Sequence, residues 1–365
     1  MRFLVLNRIV ILGGARDFHA MDWYRTVQKN MADREVVFLT DLVESEGYCN
    51  IVTKTDRIEK LFVIDKFLFK KQSSAGSAWR NFFKILVLPI QIYKLRKFYN
   101  KNPNSIFHAH PMYYMLLCWL SRIEYIGSPQ GSEILVRPNK SVVYNFFAIR
   151  VLRSAKYVIV DSVNMKNKIQ EMSGVNALVH QYGIDVQELK KYKNRNKQQI
   201  TSIRGMTPLY RINEIFNSRE YCGVSDGINF IYPHYEEGYL KDIKNRMIAK
   251  DKDCGRLKKN NMYRLLSETY LAISIPMSDS SPRSVYEAIF LGCIVAVTYN
   301  PFIACMPKCM RDRIIIVDLN DKEWLKSAIK KAKQLIQHDY IPSSEAISIF
   351  DQDLSIKRVI DELYI

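Results

Sequence analysis

The chain has 365 residues, of which 48% are hydrophobic, so it is long enough for two globular domains and too apolar for a disordered protein. Its formal net charge of +17 at pH 7 favours an acidic partner, such as a phosphorylated substrate, anionic lipid or nucleic acid. No stretch reaches the ~20 apolar residues of a transmembrane helix. The nearest candidate, 82–93, is too short and contains Lys84 and Pro89.

The predicted elements alternate between strands and helices. Runs rich in Val and Ile predict strands, and runs with apolar residues three and four apart predict helices. Such alternation is typical of parallel sheets that helices cover on both faces. The predicted strands cover 5–12, 35–40, 105–109, 157–160, 227–232, 271–275, 294–298 and 314–317, and the predicted helices cover 20–31, 113–121, 164–172, 262–267, 284–291, 322–337 and 354–363.

A polar stretch at 190–199 interrupts this alternation and is interpreted as a linker. The sequence therefore predicts two α/β domains, 1–190 and 191–345. The final helical segment, 346–365, could pack back on the first domain. Ligands of open parallel sheets bind beyond the carboxyl ends of the strands, so we expect the ligand in a cleft between two facing domains.

The segment 273–297 carries the strongest chemical signal. A predicted strand leads through the polar turn 278–284 into a helix, whose N-terminal N–H groups can bind a diphosphate. Arg283 adds a cation, and Glu287, one turn into the helix, can accept two hydrogen bonds from the diol of a ribose. Asp279 lies eight positions before Glu287. The alternative interpretation is a helix-capping Asp279 and an ordinary surface Glu287.

This segment resembles the donor-binding signature of the family 4 retaining glycosyltransferases, which have the GT-B fold. That signature has two acidic residues separated by seven others, then Ala, a few apolar residues, Gly and a strand. Glu287, Ala288 and Gly292 match it. Asp279 stands where the family usually has Glu, and 280–283 lacks the family's glycines.

Other segments resemble the same family in the right order. Residues 202–211 are similar to the stretch that places a basic pair on the donor diphosphate. Residues 13–14 and 19–23 resemble the first loop, so the resemblance implies that Gly14 and His19 border the acceptor. Further similarities lie at 107–110, 131–134 and 182–185. The residues that the resemblance assigns to the donor are Arg204, Arg211, Ser281, Pro282, Arg283, Ser284 and Glu287.

The resemblance implies two catalytic residues, Asp279 and His110. The family uses a histidine near the end of the strand 105–109 against the transferring sugar, and His110 is the preferred candidate over His108. We expect the two imidazoles to point to opposite sides of the strand, with one packed in the core. A metal site at these histidines lacks a third ligand, so no metal is expected.

The implied function is the transfer of a sugar from a nucleotide-diphosphate donor to a glycan or lipid-linked glycan acceptor. The resemblance implies retention of configuration, no metal and no cofactor besides the nucleotide sugar. A GT-B sugar-nucleotide epimerase and a non-enzymatic basic protein that binds lipid or nucleic acid are the alternatives. A nicotinamide dehydrogenase is disfavoured because the loop 13–18 lacks the third glycine of G-x-G-x-x-G. The acidic pairs 251/253 and 351/353 give little support to a metal-dependent GT-A enzyme.

The segment 66–101 carries nine Lys or Arg residues and no Asp or Glu, with aromatic and aliphatic residues between them. This mixture is typical of a membrane surface, although a solvated helix face has a similar composition. Nucleic acid is disfavoured because no nucleic-acid-binding motif accompanies the charge. The seven cysteines have no disulfide or zinc spacing and are expected to be reduced. We therefore expect a cytoplasmic protein that lies peripherally on the inner face of an anionic membrane.

Overall fold

The structure, a computed structural model, describes residues 8–15, 18–41, 51–61, 77–192 and 196–364, with the backbone alone for 18 and 77–84. The chain divides into two compact units. The first comprises Met1–Tyr182 and Gln352–Ile365, and the second comprises Gly183–Asp351. Each unit is built on a parallel sheet, as the alternation of strands and helices predicted.

The sheet of the first unit has the strand order β3-β2-β1-β4-β5-β6-β7, and the sheet of the second has the order β10-β9-β8-β11-β12-β13. Neighbouring strands pair in parallel in both sheets. The strands are β1 (Arg8–Leu12), β2 (Glu35–Thr40), β3 (Ile58–Lys60), β4 (Ser105–Ala109), β5 (Ile126–Gly127), β6 (Tyr157–Val160), β7 (Leu178–Val179), β8 (Gln199–Ser202), β9 (Ile228–Ile231), β10 (Lys252–Gly255), β11 (Thr269–Ser274), β12 (Ile294–Val297) and β13 (Ile314–Ile316).

Helices connect these strands. None of those in the described part of the chain has both the length and the apolar character needed to cross a membrane. The α-helices are α1 (Phe18–Asn30), α2 (Ser77–Lys101), α3 (Met112–Leu120), α4 (Gly131–Leu135), α5 (Arg137–Lys140), α6 (Val142–Ser154), α7 (Val163–Ser173), α8 (Val186–Lys190), α9 (Ile212–Cys222), α10 (Glu237–Asn245), α11 (Lys259–Ser267), α12 (Arg283–Phe290), α13 (Lys308–Arg311), α14 (Trp324–Leu335), α15 (Ser344–Phe350) and α16 (Gln352–Leu363).

The central strands are buried on both faces: successive residues point to opposite sides, and both sets are covered by helices. In β1, Ile9 and Ile11 pack with α1 and α16, whereas Val10 and Leu12 pack with α2, α3, α6 and α7. Full burial of such a side chain contributes about 1.5–3 kcal/mol. The continuous apolar runs in the sequence therefore correspond to strands that helices cover on both sides.

The C-terminal helix α16 belongs to the first unit, where it packs against α1. Trp23 donates its indole N–H to the hydroxyl of Tyr364 at 3.1 Å. The amide of Gln352 donates to the hydroxyl of Thr26 at 3.0 Å. The stretch 190–199, which we interpreted as a linker, lies inside the second unit, and its residues 193–195 are outside the described part of the chain.

Both members of the acidic pair 251/253 form ion pairs with side chains of the second unit. The side chain of Asp251 is fully buried and forms a bidentate ion pair with Arg219, with N–O distances of 2.6 and 2.8 Å. Asp253 pairs with Lys244 at 2.6 Å and accepts a hydrogen bond from the hydroxyl of Tyr232. Each carboxylate therefore has a partner that fixes local structure.

The strand order of each sheet reverses direction at one point, and such a point opens a crevice at the carboxyl ends of the strands. In the first unit the chain runs from β1 to β2 and β3 on one side, and β4 pairs on the other side of β1. In the second unit it runs from β8 to β9 and β10, and β11 pairs on the other side of β8. The loops after β1, β4, β8 and β11 therefore border the two crevices.

Candidate functional site

Arg204 lies in the loop after β8, at the crevice of the second unit. Its Nε donates to the hydroxyl of Ser274, the last residue of β11, at 2.6 Å. Its Nη2 donates to Oδ2 of Asp279 at 2.6 Å, and the two side chains are only 11% and 18% exposed. The guanidinium of Arg204 is therefore a largely buried cation between the ends of β8 and β11.

Asp279 lies in the turn that follows β11. Besides its ion pair with Arg204, its backbone lies against the side-chain amide of Asn300. With the amide nitrogen facing the carbonyl oxygen of Asp279, that contact is 3.0 Å, and the amide oxygen then accepts from the N–H of Asp279. Asp279 does not cap the following helix, whose N-cap is Pro282. The interpretation of Asp279 as a helix cap is therefore wrong.

The N-terminus of α12 follows this turn, as the sequence predicted. Pro282 is its N-cap and makes no side-chain capping bond. The first helical hydrogen bonds run from Val285 and Tyr286 to the carbonyl of Pro282, so the N–H groups of Arg283 and Ser284 precede them. Ser281 lies beside this end, with its hydroxyl 3.0 Å from that of Tyr286. N–H groups at a helix start favour an anionic ligand such as a diphosphate.

Glu287 is in the second turn of α12 and is only 6% exposed, so its interpretation as an ordinary surface residue is also wrong. Its Oε1 accepts a hydrogen bond from the hydroxyl of Tyr263 at 2.8 Å. Burial and the neighbouring carboxylate raise the pKa of Tyr263, which therefore stays a neutral donor. The structure shows no hydrogen bond to Oε2 within the described residues, so this oxygen remains available to a ligand.

Arg211 is the N-cap residue before α9 and lies in the left-handed backbone region, with φ of 51°. Its guanidinium donates to the carbonyls of Ile275 and Pro276, both at 2.8 Å, and to the hydroxyl of Thr298 at 2.9 Å. These groups directly follow β11 and β12, so Arg211 holds the beginning of the turn that carries Asp279. Its assigned contact with a donor diphosphate stays a prediction.

A glycine lets the loop after β8 lie close to the loop after β9. A Cβ on Gly205 would be 2.7 Å from Nε2 of His234 and 2.9 Å from Cε2 of Tyr210. The Tyr210 ring lies 5.8 Å from Cζ of Arg204. Sequence reasoning missed Tyr210, and it also missed the partners Ser274, Tyr263 and Asn300 described above. No motif marks these four residues, because their roles arise from contacts between distant segments.

The crevice of the first unit contains both histidines that the sequence singled out. His110 follows β4, and its N–H donates to the carbonyl of Leu12 at 2.7 Å. The rings of His108 and His110 are 4.2 Å apart, centroid to centroid. The expectation that they point to opposite sides of the strand is therefore wrong. Residues two positions apart in a strand share a face, and only adjacent residues alternate.

The two imidazoles differ in their hydrogen bonds. Both ring nitrogens of His108 have partners, since Nδ1 contacts the hydroxyl of Tyr364 and Nε2 lies 2.7 Å from the hydroxyl of Ser128. In contrast, Nε2 of His110 is buried without a partner in the described structure. Burial, followed by the charge of His19, lowers the pKa of His110 to about 3, so this imidazole is neutral. Burial also lowers the pKa of His108.

The predicted acceptor-side residues lie at the same crevice. Gly13 and Gly14 follow β1, and a Cβ on Gly13 would be 2.9 Å from that of Ala20 and 3.2 Å from the carbonyl oxygen of His110. His19 is an exposed residue in the first turn of α1, and its ring lies 6.3 Å from that of Tyr182. The structure therefore brings Gly14, His19 and His110 to one edge of the first sheet.

The predicted donor-side residues lie together at the crevice of the second unit. Arg204, Asp279 and the start of α12 border it directly, and Glu287 lies one turn further along that helix. Among the described residues no group of three or more His, Cys, Asp or Glu side chains could hold a metal ion. The arrangement thus offers a cation, helix N–H groups and an oriented carboxylate to a ligand.

A scan against protein-family models gives no match to this sequence, and neither does a comparison with curated proteins. Solved structures do match the whole chain. HepE of Anabaena, in complex with UDP and glucose, superimposes with a TM-score of 0.74 over 98% of this chain and 99% of its own, at 13% identity. A sucrose-phosphate synthase of Thermosynechococcus elongatus gives a TM-score of 0.72 over 98% and 99% of the two chains, at 10% identity.

A third structure belongs to a different class of enzyme. The putative UDP-N-acetylglucosamine 2-epimerase of Listeria monocytogenes gives a TM-score of 0.58 over 97% of this chain and 94% of its own, at 11% identity. At such low identities the similarity concerns the fold, which many functions share. The two parallel α/β units and these similarities establish that the chain has the GT-B fold, as the sequence predicted.

Proposed function

We propose that this protein is a glycosyltransferase that moves a sugar from a nucleotide-diphosphate donor to an acceptor. The observation that carries the proposal is the arrangement in the second unit. Arg204 and the N-terminus of α12 lie at one crevice, and the buried carboxylate of Glu287 follows one turn later. A cation and helix N–H groups suit a diphosphate, and an oriented carboxylate suits the hydroxyls of a ribose.

In this proposal Arg204 and the N–H groups of 281–284 neutralise the diphosphate. The diphosphate gains negative charge as its bond to the anomeric carbon breaks, and preorganised donors stabilise that charge. Asp279 holds the guanidinium of Arg204 in place and lies near the sugar. A UDP-sugar is the first donor to test, because HepE of Anabaena was solved with UDP-glucose.

For the first unit, we propose that His110 contacts the transferring sugar and that Gly14 and His19 border the acceptor. A neutral imidazole whose buried Nε2 has no described protein partner can exchange a hydrogen bond with a sugar hydroxyl. Proposed together with this are retention of the anomeric configuration and independence from metal ions. An NMR assignment of the product anomer and an assay in EDTA test both, and an inverted product or complete loss in EDTA would contradict them.

We further propose a lipid-linked glycan as acceptor and a peripheral position on the cytoplasmic face of an anionic membrane. Residues 66–76 of the basic segment lie outside the described part of the chain. Within the described part, α2 exposes Ile85 (67%) and Tyr93 (66%) beside the exposed Lys94 and Lys97. Amphipathic helices with cations and aromatic residues bind the interface of anionic bilayers.

A thermal-shift panel of nucleotide sugars tests the donor proposal, because a ligand that binds only the folded state raises its stability. We expect a UDP-sugar to raise the unfolding temperature and uridine alone to raise it less, since uridine lacks the diphosphate. If no nucleotide sugar stabilises the protein, the proposal is wrong. A bound nucleotide sugar that is epimerised or hydrolysed without an acceptor would instead identify an epimerase.

A further inference from the structure

Helix α6 exposes a row of large apolar side chains that the sequence analysis did not single out. Val142 is 86% exposed, Val143 67%, Phe146 50% and Phe147 42%. Their spacing of one and four residues puts them on one side of the helix. A contiguous exposed apolar patch is unusual for a soluble surface and often marks an interaction site. These four residues are called the α6 surface below.

Helix α6, which carries this surface, is anchored in the first unit. The opposite face of α6 places Ala148, Val151 and Leu152 in the core of the first unit. The hydroxyl of Ser141 caps the helix by accepting from the N–H of Tyr144 at 3.2 Å. The exposed residues therefore do not depend on the position of a loose segment.

A groove adjoins the α6 surface. It has a volume of about 460 Å³ and is lined by Trp119, Phe146, Ile149, Arg150, Arg153 and Ser154. The guanidinium carbon of Arg150 lies 4.3 Å from the centre of the Phe146 ring. The ring of Trp119 lies 6.3 Å from that of Phe147. The groove thus combines aromatic walls with arginines at its rim.

The segment that contains α6 has a net positive charge. The segment 119–154 contains five Lys or Arg residues and two carboxylates. Both carboxylates have cationic partners, since Glu124 pairs with Lys156 and Glu133 pairs with Arg137. Among the described residues, neither Arg150 nor Arg153 of the groove lining forms an ion pair with a carboxylate. An acidic occupant would therefore find free cations beside an apolar ridge.

We propose that the α6 surface inserts into the interface of an anionic lipid bilayer, with the rim arginines facing lipid phosphates. Apolar side chains flanked by cations suit the boundary between headgroups and acyl chains. A second copy of the chain is the competing occupant, but it would bring a net charge of +17 against an already cationic face. Helix α3 packs against both α6 and α2, the helix that carries the described part of the basic segment. The inference rests on the peripheral membrane position proposed above and assigns to it a surface besides α2.

The test compares binding of the full chain to vesicles of phosphatidylcholine with and without phosphatidylglycerol. Val142→Ser combined with Phe146→Ser is expected to weaken binding to anionic vesicles about tenfold or more. The control is Ile316→Ser combined with Ile341→Ser. These residues of the second unit are 53% and 75% exposed, so the control removes a similar apolar area elsewhere. It is expected to bind like the unmodified chain.

Two further arms identify the contact. Replacing Lys94 and Lys97 by Glu should weaken the salt-sensitive part of binding, whereas the α6 variant should weaken binding at high salt as well. Bromine atoms on the acyl chains should quench fluorescence from Trp119, and Trp119→Phe should remove that component of the quenching. These readouts need no substrate, so they are independent of the proposed sugar transfer.

The outcomes are distinct. Weaker binding of the α6 variant, normal binding of the control and bromine quenching at Trp119 support the inference. Equal vesicle binding by the α6 variant and the unmodified chain would overturn it. Self-association that appears in sedimentation and is abolished by the α6 variant would also overturn it, because a second copy would then cover this surface.

Discussion

The role of Glu287 leads to the sharpest prediction. Glu287→Gln preserves the shape of the side chain, and its amide oxygen can still accept from Tyr263, the partner 2.8 Å away. The amide nitrogen replaces Oε2 and cannot accept a hydrogen bond from a ribose hydroxyl. A hydrogen bond to a charged acceptor contributes about 1.5–3 kcal/mol, so the affinity for UDP is expected to fall about ten- to hundredfold.

Calorimetry with UDP and its 2′-deoxy and 3′-deoxy analogues isolates this contact. The unmodified chain should lose affinity when the contacted hydroxyl is removed, whereas the Gln variant should be indifferent to the same removal. Such non-additivity is the mark of a direct interaction. Glu323→Gln, at a side chain that is 53% exposed, is the control and should change nothing. Equal losses for both proteins with each analogue would refute the role of Glu287.

Three further predictions concern Arg204 and the histidines. Arg204→Lys should weaken the binding of UDP about tenfold but leave the binding of uridine unchanged, because an ammonium cannot replace the planar guanidinium that contacts Ser274 and Asp279. Equal losses of affinity for both ligands would contradict this prediction. His108→Asn should lower the unfolding free energy by about 1–3 kcal/mol more than His110→Asn, because loss of the His108 ring leaves a buried hydroxyl unpaired. His110→Asn should lower kcat more than His108→Asn. The reverse pattern would show that the two roles are exchanged. Burial lowers the pKa of His110 to about 3, so below pH ~6.5 the unfolded chain binds a proton that the folded chain excludes, and this residue should reduce the unfolding free energy by about 1.4 kcal/mol per pH unit down to about pH 3. In denaturant titrations at several pH values, the unfolding free energy of His110→Asn should change with pH by that much less than that of the unmodified chain. An unchanged pH dependence would contradict the lowered pKa of His110.

The sequence alone was sufficient to predict the strands and helices whose residue pattern lies within the element itself. The strands predicted at 35–40, 105–109 and 157–160 have the same bounds in the structure, because a continuous apolar run needs only a sheet that is buried on both faces. The helix after β6 begins with a typical N-cap residue, Ser162, whose hydroxyl accepts from the N–H of Met165 at 3.3 Å. The strand predicted at 5–12 is described only from Arg8, since 1–7 lie outside the described residues.

The elements and contacts that were missed depend on distant partners. Helix α6 was not predicted, because its exposed valines and phenylalanines obscure the usual separation of apolar and polar faces. The burial of Glu287 required Tyr263, which lies 24 residues earlier. The bonds of Arg211 to Ile275 and Pro276 span more than 60 residues. Such contacts follow from the tertiary fold and leave no periodic signal in the sequence.

The choice between His108 and His110 shows a different limit of prediction from the sequence. The motif selected His108 and His110, but the choice between them needed hydrogen bonds that only the structure displays. His108 is held on both ring nitrogens, whereas Nε2 of His110 has no described partner. The preference for His110, which came from the resemblance, therefore stays a prediction, whereas the expectation that the two rings point to opposite sides was wrong.

The central claim is that a sugar moves from a nucleotide-diphosphate donor to an acceptor. The most direct measurement follows radiolabelled sugar from the nucleotide sugar selected by the binding panel, with lipid extracted from membranes as the acceptor. The account predicts that label enters the lipid fraction, that one nucleoside diphosphate is released per sugar transferred, and that both depend on added lipid. Release of free or epimerised sugar at the same rate without lipid, or no turnover of a nucleotide sugar that binds, would contradict the account.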